Sequence, residues 1–257
     1  MITKIKKKIY KNNFLISSYY SIKIINNYFR FKLFSFITHM YKYIKDLWQI
    51  KTNKDFRIKT LYPCIDDNTK ETPLDIDYFY QDTWAAKKIF TQKPKIHYDI
   101  GSNAKTIGLI SQFTKTYMID IRPLPIKLKG LKFIKGDILK LPFKTNSIES
   151  ISSLCVIEHI GLGRYGDNLD PYGSDKAISE IIRVTKQNGN IYISLPIYKV
   201  NKIFFNAHRT FTKRYVLSKF KNCKLIEAKY IYKGKLTSKF SKNSDTYGTG
   251  LFWFKKN

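Results

Sequence analysis

Short apolar runs alternate with helical stretches through the middle of this chain, and that alternation restricts the possible folds more than any other feature of the sequence. The predicted strands and helices of this region cover residues 96–100, 104–113, 117–121, 131–134, 148–157, 175–186 and 191–195. Further helices are predicted at 75–90 and 213–219, and further strands at 224–230 and 251–254. Strands separated by helices form parallel sheets with helices packed on their faces. We therefore predict an α/β fold with a Rossmann-like, doubly wound, mostly parallel sheet.

A carboxylate stands at the end of each of the first four predicted strands. These residues are Asp99, Asp120, Asp137 and Glu158, and Gly101 provides a turn after the first strand. In open parallel sheets, ligands bind beyond the carboxyl ends of the strands, and an acid on the second strand binds ribose hydroxyls. The order of the acids predicts a site for a nucleoside-containing cofactor, in which Asp137 accepts a hydrogen bond from an adenine amino group. Surface acids in turns are the alternative for any one of them.

The segments around these acids resemble the class I S-adenosylmethionine-dependent methyltransferases. They read D-I-G-S-N, M-I-D, K-G-D-I-L-K-L-P-F and V-I-E-H-I. The chain is more similar still to the methyltransferase-like family known as domain of unknown function two-six-eight, over roughly residues 61–232, through D-I-D-Y-F-Y-Q-D-T-W-A-A, E-H-I-G-L-G-R-Y-G-D-N-L-D-P-Y-G-S-D-K-A and F-F-N-A-H-R. The resemblance implies an S-adenosylmethionine cofactor held by Asp99, Gly101, Asn103, Asp120, Asp137, Ile138 and Glu158. It also implies a glycan-related role, because bacterial members of the family occur among surface-polysaccharide genes.

One residue departs from the methyltransferase pattern. Asn103 stands where most of these enzymes have a second glycine, which lets the cofactor pass close to the turn. Asn tolerates a left-handed backbone better than other non-glycine residues, so its presence is compatible with cofactor binding. A member of the family that binds no cofactor is the alternative.

A glycine-rich loop follows the fourth predicted strand. Four of the 12 glycines of the chain fall within residues 161–173, together with Asp167, Asp170 and a single basic residue, Arg164. A phosphate-binding loop would end in Lys, Ser or Thr and contain few acids. This loop is more typical of a mobile segment that presents polar groups, here Arg164, Tyr165 and Asp170, to a hydroxylated substrate such as a sugar. Alternatively, the two aspartates hold the loop by accepting hydrogen bonds from backbone amides.

Methyl transfer to an alcohol oxygen requires a base. His159 is the first candidate, because it follows the fourth strand and imidazole titrates near neutral pH. Asp167 and His208 are the reserve candidates. Alternatively, the His159 ring bonds Glu158 or loop backbone and only shapes the cofactor pocket. No metal site is expected, because no further carboxylates are in phase with those of the loop.

The segment F-F-N-A-H-R follows the fifth predicted strand. The family resemblance places it near the acceptor, which implies substrate contacts from Asn206, His208 and Arg209. The Arg209 guanidinium would suit a phosphate or a carboxylate. The alternative is a network at the start of a helix that packs against the glycine loop.

Positive charge is concentrated at the two ends of the chain. Residues 1–60 contain 14 basic and 2 acidic side chains, residues 61–198 contain 18 and 15, and residues 199–257 contain 15 and 2. The nearly neutral middle disfavours nucleic acid as a partner of the active site. Codon bias accounts for many of the lysines. The alternative is that residues 1–60, a basic, aromatic-rich helical extension, contact an anionic membrane surface.

These observations predict two parts, the extension at 1–60 and a methyltransferase-like domain at 61–257. No uninterrupted apolar run reaches the length of about 18 residues that a membrane-spanning helix needs. The three separated cysteines fit a reducing, cytoplasmic compartment. If residues 1–60 contact anionic lipid, the protein is expected to be peripheral at the inner face of the membrane.

The expected activity is S-adenosylmethionine-dependent O-methylation of a sugar or glycan precursor in surface polysaccharide biosynthesis. Two other classes stay open. One is a non-catalytic, methyltransferase-like protein that assists glycan assembly. The other is an RNA methyltransferase, which the nearly neutral middle of the chain disfavours.

Overall fold

A twisted mixed sheet forms the centre of this computed structural model, which describes residues 33–51, 54–241 and 245–257. The strands of the described chain are β1 His97–Ile100, β2 Thr116–Asp120, β3 Leu131–Lys135, β4 Ile148–Leu154, β5 Thr185–Ile197, β6 Lys202–Phe204, β7 His208–Thr210, β8 Cys223–Tyr232, β9 Lys235–Thr237 and β10 Gly248–Lys256. Eight of them form one sheet in the order β3-β2-β1-β4-β5-β10-β8-β9, while β6 and β7 form a separate hairpin.

The first five strands run parallel, and β10 inserts antiparallel between β5 and β8. The first helix of the described chain, α1, covers residues 33–49. The helices that follow it are α2 Ile76–Gln92, α3 Ala104–Ile110, α4 Gly173–Val184 and α5 Lys213–Lys219. A single 3₁₀ turn, Ile157–His159, follows β4. The predicted doubly wound α/β fold is confirmed.

Two apolar clusters lie on opposite faces of the sheet. Side chains of α2 and α3 pack in one cluster, and side chains of α4 and α5 pack in the other. Neighbouring residues of one strand alternate between them, so that Met118 belongs to the first cluster and Ile119 to the second. This alternation is what the period of two in a strand requires when helices cover both faces.

The last helix before β5 differs from its prediction. α4 begins at Gly173, two residues before the predicted start at residue 175, and the hydroxyl of Ser174 in its first turn donates to the Ile157 carbonyl at 2.7 Å. The helix also ends two residues before the predicted end at residue 186, because the chain passes from Val184 directly into β5. The Thr185 hydroxyl donates to Ile181 O at 2.7 Å and satisfies a carbonyl of the last turn.

The chain divides into two compact units, Met1–Pro73 and Leu74–Asn257. The first unit contains α1. The predicted division at residue 60 stays a prediction, and the helical prediction for residues 1–32 falls outside the described residues. Among the helices that the structure describes, none has the length and apolar character needed to cross a membrane.

Candidate active site

The turn after β1 is built around a buried acid. Asp99 accepts hydrogen bonds from the Ser102 amide at 3.0 Å, the Ser102 hydroxyl at 2.6 Å and the Ser152 hydroxyl at 2.5 Å. Burial raises the pKa of Asp99 to about 6, although these hydrogen bonds lower it. Asp99 therefore holds the turn from behind and does not line the cavities described below.

Gly101 and Asn103 have different backbone conformations in this turn. Gly101 has φ +68°, and a Cβ atom there would lie 3.1 Å from the Val156 side chain. Asn103 has φ −61° and accepts a hydrogen bond from the Lys105 amide as the N-cap of α3. The left-handed conformation that Asn103 was expected to tolerate is therefore not required of it.

Two adjoining cavities lie at the carboxyl ends of the parallel strands. The smaller, of about 350 Å³, is lined by residues that follow β1 to β4, among them Asp120, Asp137 and Ile138. The larger, of about 720 Å³, extends to the first turn of α2 and the start of β10. Gly101, Asp120, Arg122, Cys155, His159 and Tyr165 line both cavities.

The structure brings most of the predicted site residues to these cavities. Those that line one or both are Gly101, Asn103, Asp120, Asp137, Ile138, Glu158, His159, Arg164, Tyr165, Asp167 and His208. Four predicted residues line neither cavity, namely Asp99, Asp170, Asn206 and Arg209.

Asp120 is paired with a residue that the sequence analysis missed. Its carboxylate accepts hydrogen bonds from the Arg122 amide at 2.8 Å and from the Arg122 guanidinium at 3.2 and 3.3 Å. The guanidinium of Arg122 also lies 4.8 Å from the centroid of the Tyr165 ring, and that of Arg164 lies 5.1 Å from it. A chain of contacts thus connects the end of β2 to the glycine loop along the boundary shared by the cavities.

Glu158 and His159 project from the 3₁₀ turn into the larger cavity. Glu158 is only 2% exposed, and in the described structure its Oε2 atom has no hydrogen-bond partner. Burial raises its pKa to about 8, so the side chain is mostly protonated at neutral pH. Its Oε1 atom lies 3.8 Å from Nε2 of His159.

The hydrogen bonding of His159 sets its tautomer. Nδ1 lies 2.6 Å from the carbonyl oxygen of Ala207, which only accepts, so Nδ1 carries the hydrogen and Nε2 keeps a free electron pair. Burial lowers the pKa of His159, and the nearby charge of Arg164 lowers it further, although the bond to Ala207 raises it. The ring is therefore neutral at neutral pH, with Nε2 able to accept a proton.

The two aspartates of the glycine loop hold backbone amides. Asp167 accepts from Gly161 N at 2.7 Å, Tyr165 N at 3.2 Å and Gly163 N at 3.4 Å. Burial raises its pKa, but these hydrogen bonds lower it more, so the net shift is downward. Asp170 accepts a hydrogen bond from the Tyr172 amide and forms an ion pair with Lys176. Asp167 is therefore a poor reserve base, and the loop-holding alternative fits both residues.

Arg209 anchors the same loop. It is 7% exposed and donates to the Ile160 carbonyl at 2.5 Å, the Asp170 carbonyl at 3.1 Å and the Ser174 hydroxyl at 3.2 Å. These contacts correspond to the predicted alternative, a network at the start of α4, and replace the substrate contact expected of Arg209. Asn206 lies in the turn between β6 and β7, away from both cavities.

His208 is the predicted reserve base that does reach the larger cavity. Its ring packs between Phe204 and Tyr247, with centroid distances of 5.0 and 5.1 Å, and burial lowers its pKa. No partner for its Nε2 atom is found within the described part of the chain. His208 and Tyr247 thus form one wall of this cavity.

The first turn of α2 forms another wall that the sequence analysis missed. Asp75, Asp77 and Tyr78 line the larger cavity there, and Asp77 accepts a hydrogen bond from the Thr249 hydroxyl at 2.7 Å. These residues belong to the family segment D-I-D-Y-F-Y-Q-D-T-W-A-A, which was the available signal. The residues that the structure describes include no group of three or more acidic, His or Cys side chains arranged to hold a metal ion.

Comparisons with known proteins agree with this geometry. A sequence profile of the family described as "Caenorhabditis protein of unknown function, DUF268" matches residues 140–240. The family resemblance predicted from the sequence is confirmed over residues 140–232. The DUF268 segment contains Glu158, His159, the glycine loop and the β6–β7 hairpin, but the acids after β1, β2 and β3 precede it. The comparison with curated proteins found no match.

Solved structures share the fold at low sequence identity. The N-methyltransferase NodS from Bradyrhizobium japonicum is 12% identical, covers 71% of this chain and 97% of its own, and superposes with a TM-score of 0.52. The 1,6-didemethyltoxoflavin-N1-methyltransferase from Burkholderia thailandensis, solved with S-adenosylhomocysteine, is 11% identical, with coverages of 73% and 93% and a TM-score of 0.51. The [4+2]-cyclase SpnF is 10% identical, with coverages of 68% and 81% and a TM-score of 0.50. These likenesses establish the class I methyltransferase fold, which can also support other chemistry.

Proposed function

We propose that this protein is an S-adenosylmethionine-dependent methyltransferase that methylates a hydroxyl group of a sugar or glycan precursor. The observation that carries the proposal is the pair of adjoining cavities at the carboxyl ends of β1 to β4. One has the size and lining of a nucleoside site, and the other contains an uncharged imidazole with a free ring nitrogen.

The smaller cavity fits the nucleoside part of the cofactor. Asp120 and Asp137 supply carboxylates that accept hydrogen bonds from ribose hydroxyls and from an amino group. Between them, Ile100, Ile119 and Ile138 provide an apolar surface for a flat ring. Carboxylates for the ribose and amino group, together with an apolar surface for the base, are compatible with bound adenosine.

The larger cavity fits the remainder of the cofactor together with an acceptor. When bound, S-adenosylmethionine supplies an activated methyl group on a positively charged sulfur. Asp75, Asp77 and Asp120 line this cavity together with Arg122 and Arg164. With Glu158 mostly protonated, the acids still outnumber the arginines by one, which favours a cationic ligand even though the whole chain is strongly basic. Burial of the ligand in this cavity would also exclude water from the acceptor.

His159 is the residue best placed to deprotonate an alcohol. An attacking hydroxyl oxygen must lose its proton, and Nε2 of His159 is the ring atom available to take it. The Nδ1 hydrogen bond to Ala207 fixes the ring orientation during this transfer. Glu158, mostly protonated at neutral pH, places no full negative charge beside the imidazole.

Three features support a sugar as the acceptor. The Tyr247 side chain is 44% exposed and offers an aromatic face to the cavity. Tyr78 and Thr249 add hydroxyl groups on the facing walls. Short polar groups and an aromatic surface suit a neutral, hydroxylated ligand better than a phosphate chain.

Transfer of a labelled methyl group tests this proposal. Wild-type protein is incubated with methyl-labelled S-adenosylmethionine and, separately, nucleotide-linked sugars, free oligosaccharide and RNA. We expect label in a sugar fraction and its loss in the His159→Asn variant. Label only in RNA, or none with any acceptor while the cofactor binds, would contradict the proposed substrate class.

The Asp120–Arg122 pair favours a second candidate, a non-catalytic protein of the same fold that assists glycan assembly. Arg122 occupies both oxygens of the carboxylate that would bind ribose. If this pairing excludes the cofactor, Asp120→Ala and His159→Asn proteins will each restore glycan assembly fully in a deletion strain. Failure of both variants to complement supports the enzyme.

A further inference from the structure

Helix α1 exposes large apolar side chains that a water-soluble helix would normally bury. Trp48 is 85% exposed, Tyr41 is 71% exposed and Phe34 is 68% exposed. Ile37 and Ile44 are exposed as well. Such a concentration of uncovered apolar surface marks an interaction site.

These side chains form a single stripe along the helix. Phe34, Ile37, Tyr41, Ile44 and Trp48 recur at alternating spacings of three and four residues, which places them on one face. The other side of the helix carries Thr38, Lys42, Asp46 and Gln49, and Lys45 lies at its boundary with the stripe. The helix is therefore strongly amphipathic, with its apolar face uncovered.

Charge indicates what covers this face. Residues 1–60 contain 14 basic and 2 acidic side chains. A second copy of the chain would bring the same positive charge and repel the first, whereas nucleic acid would leave the apolar stripe exposed to water. Anionic lipid satisfies both features, because its headgroups attract lysine and its acyl region accepts aromatic and aliphatic side chains.

We infer that α1 docks the protein on anionic membranes, lying in the plane of the headgroups with the Phe34–Trp48 stripe facing the acyl chains. The 17 helical residues described span roughly 25 Å at 1.5 Å per residue. Lys45, at the edge of the stripe, reaches the lipid phosphates, whereas Lys42, on the polar face, is ion-paired with Asp46.

Flotation of the full-length protein tests this inference. Vesicles of phosphatidylcholine alone are compared with vesicles of phosphatidylcholine and phosphatidylglycerol. The test variant is Phe34→Asp with Trp48→Asp, and the matched control is Thr38→Asp with Gln49→Asp. Both double variants change the charge equally and place Asp in the same helix, so only the face differs.

Wild type should float with the anionic vesicles and only weakly with the neutral ones. The apolar-face variant should bind at least about tenfold more weakly than the polar-face control, since it loses apolar burial as well as charge. Equal binding by the two variants would overturn the inference. So would a wild-type protein that ignores vesicles and forms a dimer dissociated by the apolar-face variant. Cofactor binding does not enter this measurement, so its outcome is independent of the proposed activity.

Discussion

The guanidinium of Arg122 lies 4.8 Å from the centroid of the Tyr165 ring while it also pairs with Asp120. One side chain therefore connects the acid at the end of β2 with the glycine loop. If Asp120 binds the ribose hydroxyls of the cofactor, Arg122 competes for the same carboxylate oxygens. The pairing makes cofactor affinity sensitive to a residue outside the methyltransferase motifs.

Replacement of Arg122 by Ala should strengthen binding of S-adenosylhomocysteine. The Arg122 side chain is largely exposed, so its ion pair contributes no more than about 1 kcal/mol and the gain is at most about fivefold. Calorimetric titration measures it, with Lys127→Ala, an exposed lysine outside both cavities, as the control. Weaker binding by the Arg122 variant would mean that Arg122 supports the cofactor instead of competing with it.

His159→Asn should separate the two roles considered for His159. The Asn amide can replace Nδ1–H as donor to the Ala207 carbonyl, but it offers no atom in place of Nε2. Turnover should fall by roughly 10²–10³-fold while S-adenosylhomocysteine affinity changes little. In the wild type, activity should rise with pH through a midpoint below the ordinary histidine value, because burial lowers the pKa of His159. A purely structural residue would instead lower cofactor affinity and leave the pH profile unchanged.

Glu158→Gln should change how stability depends on pH. The folded protein holds the Glu158 proton up to a pKa of about 8, against 4.5 for an ordinary glutamate. The native state therefore binds more protons than the unfolded state, and the wild-type free energy of unfolding falls as pH rises between these values. The Gln variant loses this contribution, whose slope is on the order of 1.4 kcal/mol per pH unit.

Urea denaturation of wild type and Glu158→Gln across this pH range measures the difference. The variant should gain stability relative to wild type until the pH passes about 8, and the difference should then level off. Glu149→Gln, at the opposite end of β4, provides the control. A constant difference between the proteins would show that Glu158 is ionised in the native state.

Two glycines of the loop form a matched pair. Gly161 and Gly166 both have positive φ, of +81° and +84°. A Cβ atom on Gly161 would lie 2.1 Å from the Asp170 carbonyl oxygen, whereas one on Gly166 meets nothing within 4 Å. Gly166→Ala should therefore cost about 1–2 kcal/mol for its backbone conformation alone. Gly161→Ala should cost roughly 3 kcal/mol or more, because the loop backbone must also shift. Similar losses in thermal denaturation would contradict the described packing of the loop.

The order of the strands and acids was readable from the sequence, because apolar runs and strand-end carboxylates are local patterns. The direction in which each carboxylate side chain points could not be predicted from the sequence. Asp99 and Asp120 both end parallel strands, yet Asp99 turns back onto Ser102 and Ser152 while Asp120 lines both cavities. That difference depends on contacts between β1 and β4, which are distant in sequence.

Residues brought in by long-range packing were also missed. Asp77 reaches the cavity because α2 packs beside the start of β10, where Thr249 donates to it across 172 residues of sequence. The ends of α4 were misplaced for a similar reason. Serine is a common N-cap residue, but the Ser174 hydroxyl donates to the Ile157 carbonyl of the neighbouring 3₁₀ turn.

The most direct test of the account is calorimetric titration of S-adenosylhomocysteine into wild type, Asp120→Ala and the control Glu149→Gln. Glu149 lies near the start of β4, at the amino-terminal ends of the parallel strands, and lines neither cavity. We expect one binding site per chain in wild type and in the Glu149 variant, and loss of binding in the Asp120 variant with its fold retained. No heat of binding to folded wild-type protein, or equal binding by all three proteins, would contradict a cofactor site at the end of β2.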